Sequence, residues 1–189
     1  MLADLIIAAA NFGLEIHETK TKMLLNGFGS KTSLKNVQVE GKTIEILEDS
    51  ESTMYLGRLL CLGDLHDTEL NNRLSKGWAK FAMYRDELTT PSYSLSQRLR
   101  FFKSVVQPSV LYGCVSWTLT RKREQTLRTA QRKMLRQIIN TKRRFEFTTD
   151  GEKILEDWVG WVRRATRVAE KWMAQYRVPD WVHEVRRSP

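Results

Sequence analysis

The sequence predicts an α+β chain: a small partial sheet with one helix over about residues 1–62, then a mostly α-helical bundle and a C-terminal helix. Three observations predict it. Short alternating apolar stretches, bounded by glycines, crowd the first sixty or so residues. From Asp67 onward, apolar residues recur instead at steps of three and four. Pro91, Pro108 and Pro179 punctuate that helical pattern at three places.

A chain of 189 residues fits one domain or two small ones and is long enough to bury a core. With 41% hydrophobic and 28% charged residues, its composition is that of a globular protein and excludes a disordered one. No apolar run approaches the roughly 18 residues of a membrane span. The apolar start "MLADLIIAAANFGL" has Asp4 where a signal peptide would be basic. Cys61 and Cys114 are far apart, without a CxxC or a nearby pair of histidines. Two such thiols predict a reduced, intracellular chain with no structural disulfide or zinc.

Each element follows from local pattern. Leu2, Leu5, Ile6, Ala9 and Ala10 share helical spacing and predict a buried opening helix, with Gly13 as its C-cap. "LEI" alternates like a short strand. "KNVQVEGKTIEIL" predicts a hairpin, with Val37 and Val39 facing Ile44 and Ile46 across the Gly41 link. After the acidic "EDSES", "TMYLGRLL" is a further apolar strand that holds Tyr55, Leu56 and Gly57. Such short strands and one helix make a thin core.

The helical segment, about 63–145, opens with Leu70, Leu74, Trp78, Phe81 and Leu88 on one face. A second helix is capped by Ser94 or Ser96, buries Leu95, Leu99, Phe102 and Val106, and is kinked or restarted by Pro108. Gly113 would let a neighbour pack closely. A third is capped by Thr120, with Leu127, Ala130, Met134, Leu135 and Ile138 inward. Its outward face holds Arg121, Lys122, Arg123, Arg128, Arg132, Lys133 and Arg136, balanced in sequence only by Glu124. The last segment, about 146–189, follows the polar link "NTKRRFEFTTDG". It is one amphipathic helical pattern from Ile154 and Leu155 through Trp158, Val162, Ala165, Ala169 and Trp172 to Tyr176. Trp at that spacing usually fills core, while Trp beside Arg163, Arg164, Arg167 and Lys171 can also stack on bases. "DWVHEVRRSP" reads as a short final turn.

Charge distribution is more informative than its total. The net +9 comes entirely from residues 121–189, which hold 18 basic and nine acidic residues, while residues 1–120 hold 13 of each. That asymmetry predicts a polyanionic partner for the C-terminal half, nucleic acid before an acidic protein or membrane surface. Asp64, His66 and Asp67 have the residue types of a metal cluster. Acidic residues at a helix start, however, are stabilised by its dipole, so they are assigned to a cap and no metal site is predicted.

Several of these stretches together resemble reverse transcriptases of the non-LTR (LINE-type) retrotransposons. They are "MLADLIIAAANFGLEIHETKTKML", "YLGRLL", "ELNNRLSKGWAKFAMYRDEL" and "QRLRFFKSVVQPSVLYGCVSWTLTRKREQTLRTAQRKMLRQII", in that order from about 1 to 145. The block "VVQPSVLYGCVSWTLTRK" is the most specific, being similar to the family's LLYGxExWTLT-like text. The resemblance implies that residues 1–62 are the distal part of a polymerase palm and 63–145 its thumb. Residues 146–189 are similar to the region that follows.

For the site, the resemblance implies that Lys20 lies near the phosphates of an incoming nucleotide. Lys22 is its nearest rival. Tyr55, Leu56 and Gly57 would seat the primer end, and His17 departs from the family's usual Asn. The basic third helix and Lys142, Arg143 and Arg144 would track the phosphates of an RNA/DNA template–primer without reading sequence. The family's catalytic (F/Y)xDD carboxylates would precede Met1, and no two adjacent aspartates occur in this sequence. The expectation is therefore a nucleic-acid-gripping fragment, inactive alone. Mg2+ would be needed only by the complete polymerase, and the preceding palm and fingers would be the partner. The alternatives are a catalytically silent nucleic-acid-binding helical module or a protein-interaction scaffold.

Overall fold

The computed structural model describes residues 2–25, 34–147 and 149–188; residues 26–33, within the expected palm segment, lie outside them. It is an α+β structure in two compact units, residues 1–69 and 70–189. Dividing the chain there sharpens the charge asymmetry. Residues 70–189 hold 25 of the 31 basic and 11 of the 22 acidic residues, a net +14, whereas residues 1–69 have a net −5.

In the first unit, α1 spans Leu2–Ala10 and ends as predicted at Gly13. Gly13 takes φ 70°, its N–H donates to Ala10 O and the next N–H, of Leu14, donates to Ala9 O. These two bonds satisfy carbonyls the helix leaves open. The helix is not buried, however: Leu5 and Ile7 are 57% and 56% exposed, and none of its residues is buried. Periodicity located the helix but says nothing about whether another element covers its apolar face.

The segment "LEI" is not a strand. The chain makes a 3-10 turn at Glu18–Lys20 and only then enters β1, Lys22–Leu24, which pairs in parallel with β3, Lys42–Leu47. β2, Asn36–Val39, pairs antiparallel on the other side, giving the order β1-β3-β2. The β2–β3 link is the predicted hairpin: Glu40 and Gly41 both take positive φ, 49° and 71°, the twist a two-residue turn needs. β3 is central, and among the described residues its Ile44 and Leu47 are the buried apolar residues of this unit, as thin a core as the sequence suggests.

"TMYLGRLL" is not one strand but two, β4 (Thr53–Tyr55) and β5 (Arg58–Leu60), folded over Leu56 and Gly57 as a separate hairpin. Both turn residues have positive φ, and glycine supplies the second without steric cost. Glu69, fully buried, accepts the Leu59 N–H at 2.8 Å and anchors this hairpin.

In the second unit, α2 (Leu65–Met83, begun in the first) and the short α3 (Arg85–Thr89) contribute Leu70, Leu74, Phe81 and Leu88 to one core. α4, Leu95–Phe101, opens on a full capping box, Ser94 with Gln97. A π turn over Phe102–Val106 then leads into α5, Gln107–Leu111. Pro108 accounts for that widening, because it has no N–H to continue the α pattern and its ring crowds the carbonyl a turn earlier. Gly113 serves the chain by its left-handed φ of 70°, ending α5.

Close approach is instead the work of Gly77, whose added Cβ would meet Val110 Cγ2 of α5. Gly77→Ala gains up to about 1 kcal/mol of helix propensity but overpacks a fully buried valine, which costs about 1–3 kcal/mol. A lower urea midpoint at unchanged m-value is the expected result.

α6, Arg121–Ile139, has Thr120 accepting the Arg123 N–H and ends at Asn140 with φ 54°. It buries all five predicted apolar residues. The link "NTKRRFEFTTDG" is not merely polar: Phe145–Phe147 forms β6, paired with β7, Lys153–Leu155. The last long helix, α7, therefore starts only at Trp158, capped by Asp157, and runs to Gln175. Ile154 and Leu155 are exposed strand residues, and Trp158 is 60% exposed. "DWVHEVRRSP" is not a bare turn either: Asp180 caps α8, Trp181–Arg187, which buries Trp181, Val182 and Val185. No helix among the described residues is long and apolar enough to cross a membrane.

Candidate nucleic-acid interface

The structure separates the two lysines of the opening motif. Lys22 is engaged by Glu45, its neighbour across the β1–β3 register. Lys20, at the end of the 3-10 turn, is exposed and has no side-chain partner among the described residues. His17 shapes that turn: its carbonyl accepts the Lys20 N–H at 3.1 Å and the Thr21 hydroxyl at 2.9 Å. Tyr55 and Leu56 protrude from the β4–β5 turn, 60% and 74% exposed. That hairpin is a two-stranded sheet of its own, separate from the β1-β3-β2 sheet that follows Lys20. Asp64 acts as the cap of α2, accepting the Asp67 N–H at 3.0 Å. Among the described residues no cluster of His, Cys, Asp or Glu is arranged to hold a metal ion.

The basic face of α6 is a different surface from the one the sequence suggests. Arg128 meets Glu124 at 3.5 Å and Asp180 at 3.8 Å. Arg132 meets Glu170 of α7 at 2.6 Å, and Arg136 donates to Thr166 Oγ1 at 2.9 Å. Glu124 also accepts from Arg186 of α8. These arginines join α6 to α7 and α8, so Glu124 is not their only counter-charge. Arg136 is held below its usual guanidinium value by burial first and by Arg132 second.

The exposed cations of α6 are Arg121 and Lys122 at its first turn, and Lys133, which lies 5.6 Å over the Trp78 ring. Arg123 caps Thr118 O at 3.0 Å. Cations at a helix N-terminus work against its dipole, so this end is strongly electropositive.

Lys142, Arg143 and Arg144 divide in the same way. Arg143 donates to the Glu156 carbonyl at 2.9 Å, and the Arg144 N–H donates to the Glu156 carboxylate at 3.1 Å. The Lys142 and Arg144 side chains point to solvent. Buried Glu156 also receives Arg164 Nε at 2.8 Å, which ties α7 to the end of β7. That hydrogen bond, with help from the Arg144 N–H, outweighs desolvation and lowers the Glu156 pKa from 4.5 to about 2.

A carboxyl with a depressed folded-state pKa stabilises the fold fully above its unfolded value and loses that contribution as pH falls towards the folded one. Glu156 therefore contributes fully above about pH 4.5, and its contribution fades between there and about pH 2. Glu156→Gln should flatten this acid limb in thermal melts recorded from pH 6 to 2.

Two cationic surfaces lie outside the residues that the sequence assigns to phosphate binding. On α7, Arg163, Arg167 and Lys171 stand one turn apart, all exposed and without an ion-pair partner among the described residues. On α2, half-buried Lys76 and Lys80, with buried Arg73 beside them, line a groove of about 450 Å3 against Pro108, Ser109 and Tyr112, with no carboxylate in its lining. Arg73 stacks on the Tyr112 ring at 4.5 Å. The signal for both was present as basic residues at steps of three and four. Nothing in the sequence shows which of the many such cations would meet an acid.

No family model matches the chain, and no solved structure matches it. Over 140 residues, 74% of its length, it is 27% identical to a transposon-derived protein of Caenorhabditis elegans that is itself uncharacterized. The chain spans about half, 49%, of that relative's length.

Proposed function

We propose that this chain comes from a transposon and is the template–primer-gripping part of a reverse transcriptase of the non-LTR retrotransposon type, without polymerase chemistry of its own. The observation that carries the reading is where the cations end up. Residues 70–189 have a net +14, and Arg163, Arg167 and Lys171 on α7, with Arg121 and Lys133 on α6, are exposed. Such surfaces neutralise backbone phosphates and hold a duplex irrespective of sequence. The likeness to a transposon-derived protein supports the coarser half of the proposal, and the motif resemblance supports the finer half.

Within that reading, Lys20 supplies an uncommitted ammonium for nucleotide phosphates, which stabilises charge developing there. The tight Tyr55-Leu56-Gly57 turn seats the primer terminus against exposed backbone. Two-metal phosphoryl transfer needs carboxylates that hold both ions, and the Asp-Asp pair that would do so is not in this sequence. The rest of a palm and fingers is the proposed partner. The same cations serve a catalytically silent binding module equally well.

The test is a labelled RNA/DNA hybrid with a recessed primer, incubated with the chain, deoxynucleotides and Mg2+. Binding without extension is expected. Extension would show that the metal-holding carboxylates are in these residues after all, and absence of binding at low salt would remove the grip.

A further inference from the structure

The second half of α6 and the start of α7 enclose a cleft of about 310 Å3, within the size range of small-ligand sites. Its lining is chemically specific: two indoles (Trp158, Trp161), two side-chain amides (Gln137, Asn140), two cations (Lys133, Arg136) and no carboxylate. Trp161 is fixed in place, since its Nε1 donates to Thr141 O at 2.8 Å. Trp158 leans on it with ring centroids 4.7 Å apart and an interplanar angle of 41°. That tilt, with 60% of Trp158 exposed, leaves an indole face unused at the cleft mouth. The amides of Gln137 and Asn140 have no hydrogen-bond partner among the described residues. Arg136 spends one nitrogen on Thr166 and keeps others for a ligand.

An unspent aromatic face, free amides that can both donate and accept, and paired cations are what a base, its edge and its phosphate require. We propose that this cleft binds one nucleotide, free or as the unpaired unit of a single strand, with its base on Trp158, its edge at Gln137 and Asn140, and its phosphate at Arg136 and Lys133. A base inside a duplex is stacked on its neighbours and offers no face to an indole. The site therefore goes beyond a duplex grip and adds a preference for an unpaired end or displaced strand.

The experiment is a fluorescence-anisotropy titration of the full chain with labelled oligoadenylate and, separately, with an RNA/DNA hybrid. Wild type is compared with Trp158→Ala and Trp158→Phe. The exposed position of Trp158 lets both variants fold, which circular dichroism checks. Trp158→Ala should weaken single-strand binding roughly tenfold, as loss of one base–aromatic stack implies. It should change hybrid binding less than about twofold, and Trp158→Phe should recover most of the loss. Adenosine 5′-monophosphate that displaces oligoadenylate would identify a free nucleotide as the ligand; failure to displace it would identify a strand unit. Unchanged single-strand affinity in Trp158→Ala, or an equal loss on the hybrid, overturns the proposal. Absence of hybrid binding alongside Trp158-dependent strand binding would instead sink the duplex grip and leave the cleft standing.

Discussion

Trp181→Ala should lower the unfolding free energy of the helical unit by about 3–5 kcal/mol, the range for truncating a large buried aromatic. Trp181 is fully buried and stacks on Phe102 of the π turn, with centroids 5.8 Å apart and an interplanar angle of 16°. Its backbone N–H donates to Gln131 Oε1 at 3.1 Å, while Gln131 Nε2 donates to Pro179 O at 2.7 Å. A buried glutamine on α6 thus satisfies the start of α8, and the indole then fills the space between the helices. Losing the ring leaves that polar clasp around a cavity, so α8 should detach before the rest unfolds. Trp181→Phe keeps the stack and removes an indole N–H that has no partner among the described residues. It should therefore cost far less, about 1 kcal/mol. Urea titrations of the three proteins check the order.

Reversing all three charges of the α7 ridge, Arg163→Glu, Arg167→Glu and Lys171→Glu, should weaken hybrid binding on the order of a hundredfold near 0.1 M salt. The logarithmic salt slope should flatten by about one for each phosphate that is no longer neutralised, about three in total. These side chains touch no acid among the described residues, so thermal stability should hardly move. The same reversal at Arg128, Arg132 and Arg136 is expected to behave differently. It strips Glu170 and Asp180 of their arginine partners, leaves Glu124 only Arg186 among the described ion pairs, and crowds like charges between helices, so it should unfold the bundle before it reports on binding. Melting temperature and affinity, measured on both triple variants, separate the two surfaces.

The contrast shows what was legible in the sequence. Apolar periodicity identified the inner face of α6 because Leu127, Met134 and Ile138 repeat within one element. The fate of its outer face depended on Glu170 and Asp180, whose proximity only the tertiary fold creates. α8 escaped because seven residues are too few to display a period, and its anchor is the single Trp181. The β6–β7 hairpin escaped because each strand has three residues, and "KIL" continued the helical spacing of α7 by coincidence. That coincidence assigned Trp158 to a core, whereas the Asp157 cap starts the helix there and leaves the indole at the surface.

Turn chemistry was more faithful. Gly13 and Glu40-Gly41 were readable from residue type, because positive φ is a local requirement. For Tyr55-Leu56-Gly57 the residue pattern suggested one strand, whereas the chain folds back there over two residues of positive φ. Lys20 could be told from Lys22 only once the parallel pairing of β1 set Lys22 beside Glu45.

The central claim is that this chain holds nucleic acid by its phosphates. Its most direct test is the equilibrium constant for an RNA/DNA hybrid, measured with the full chain from about 50 to 500 mM salt. With exposed cations on α6 and α7 to meet phosphates, a logarithmic slope of about −4 or steeper is expected. A slope near zero, or no binding at the lowest salt, would contradict the account.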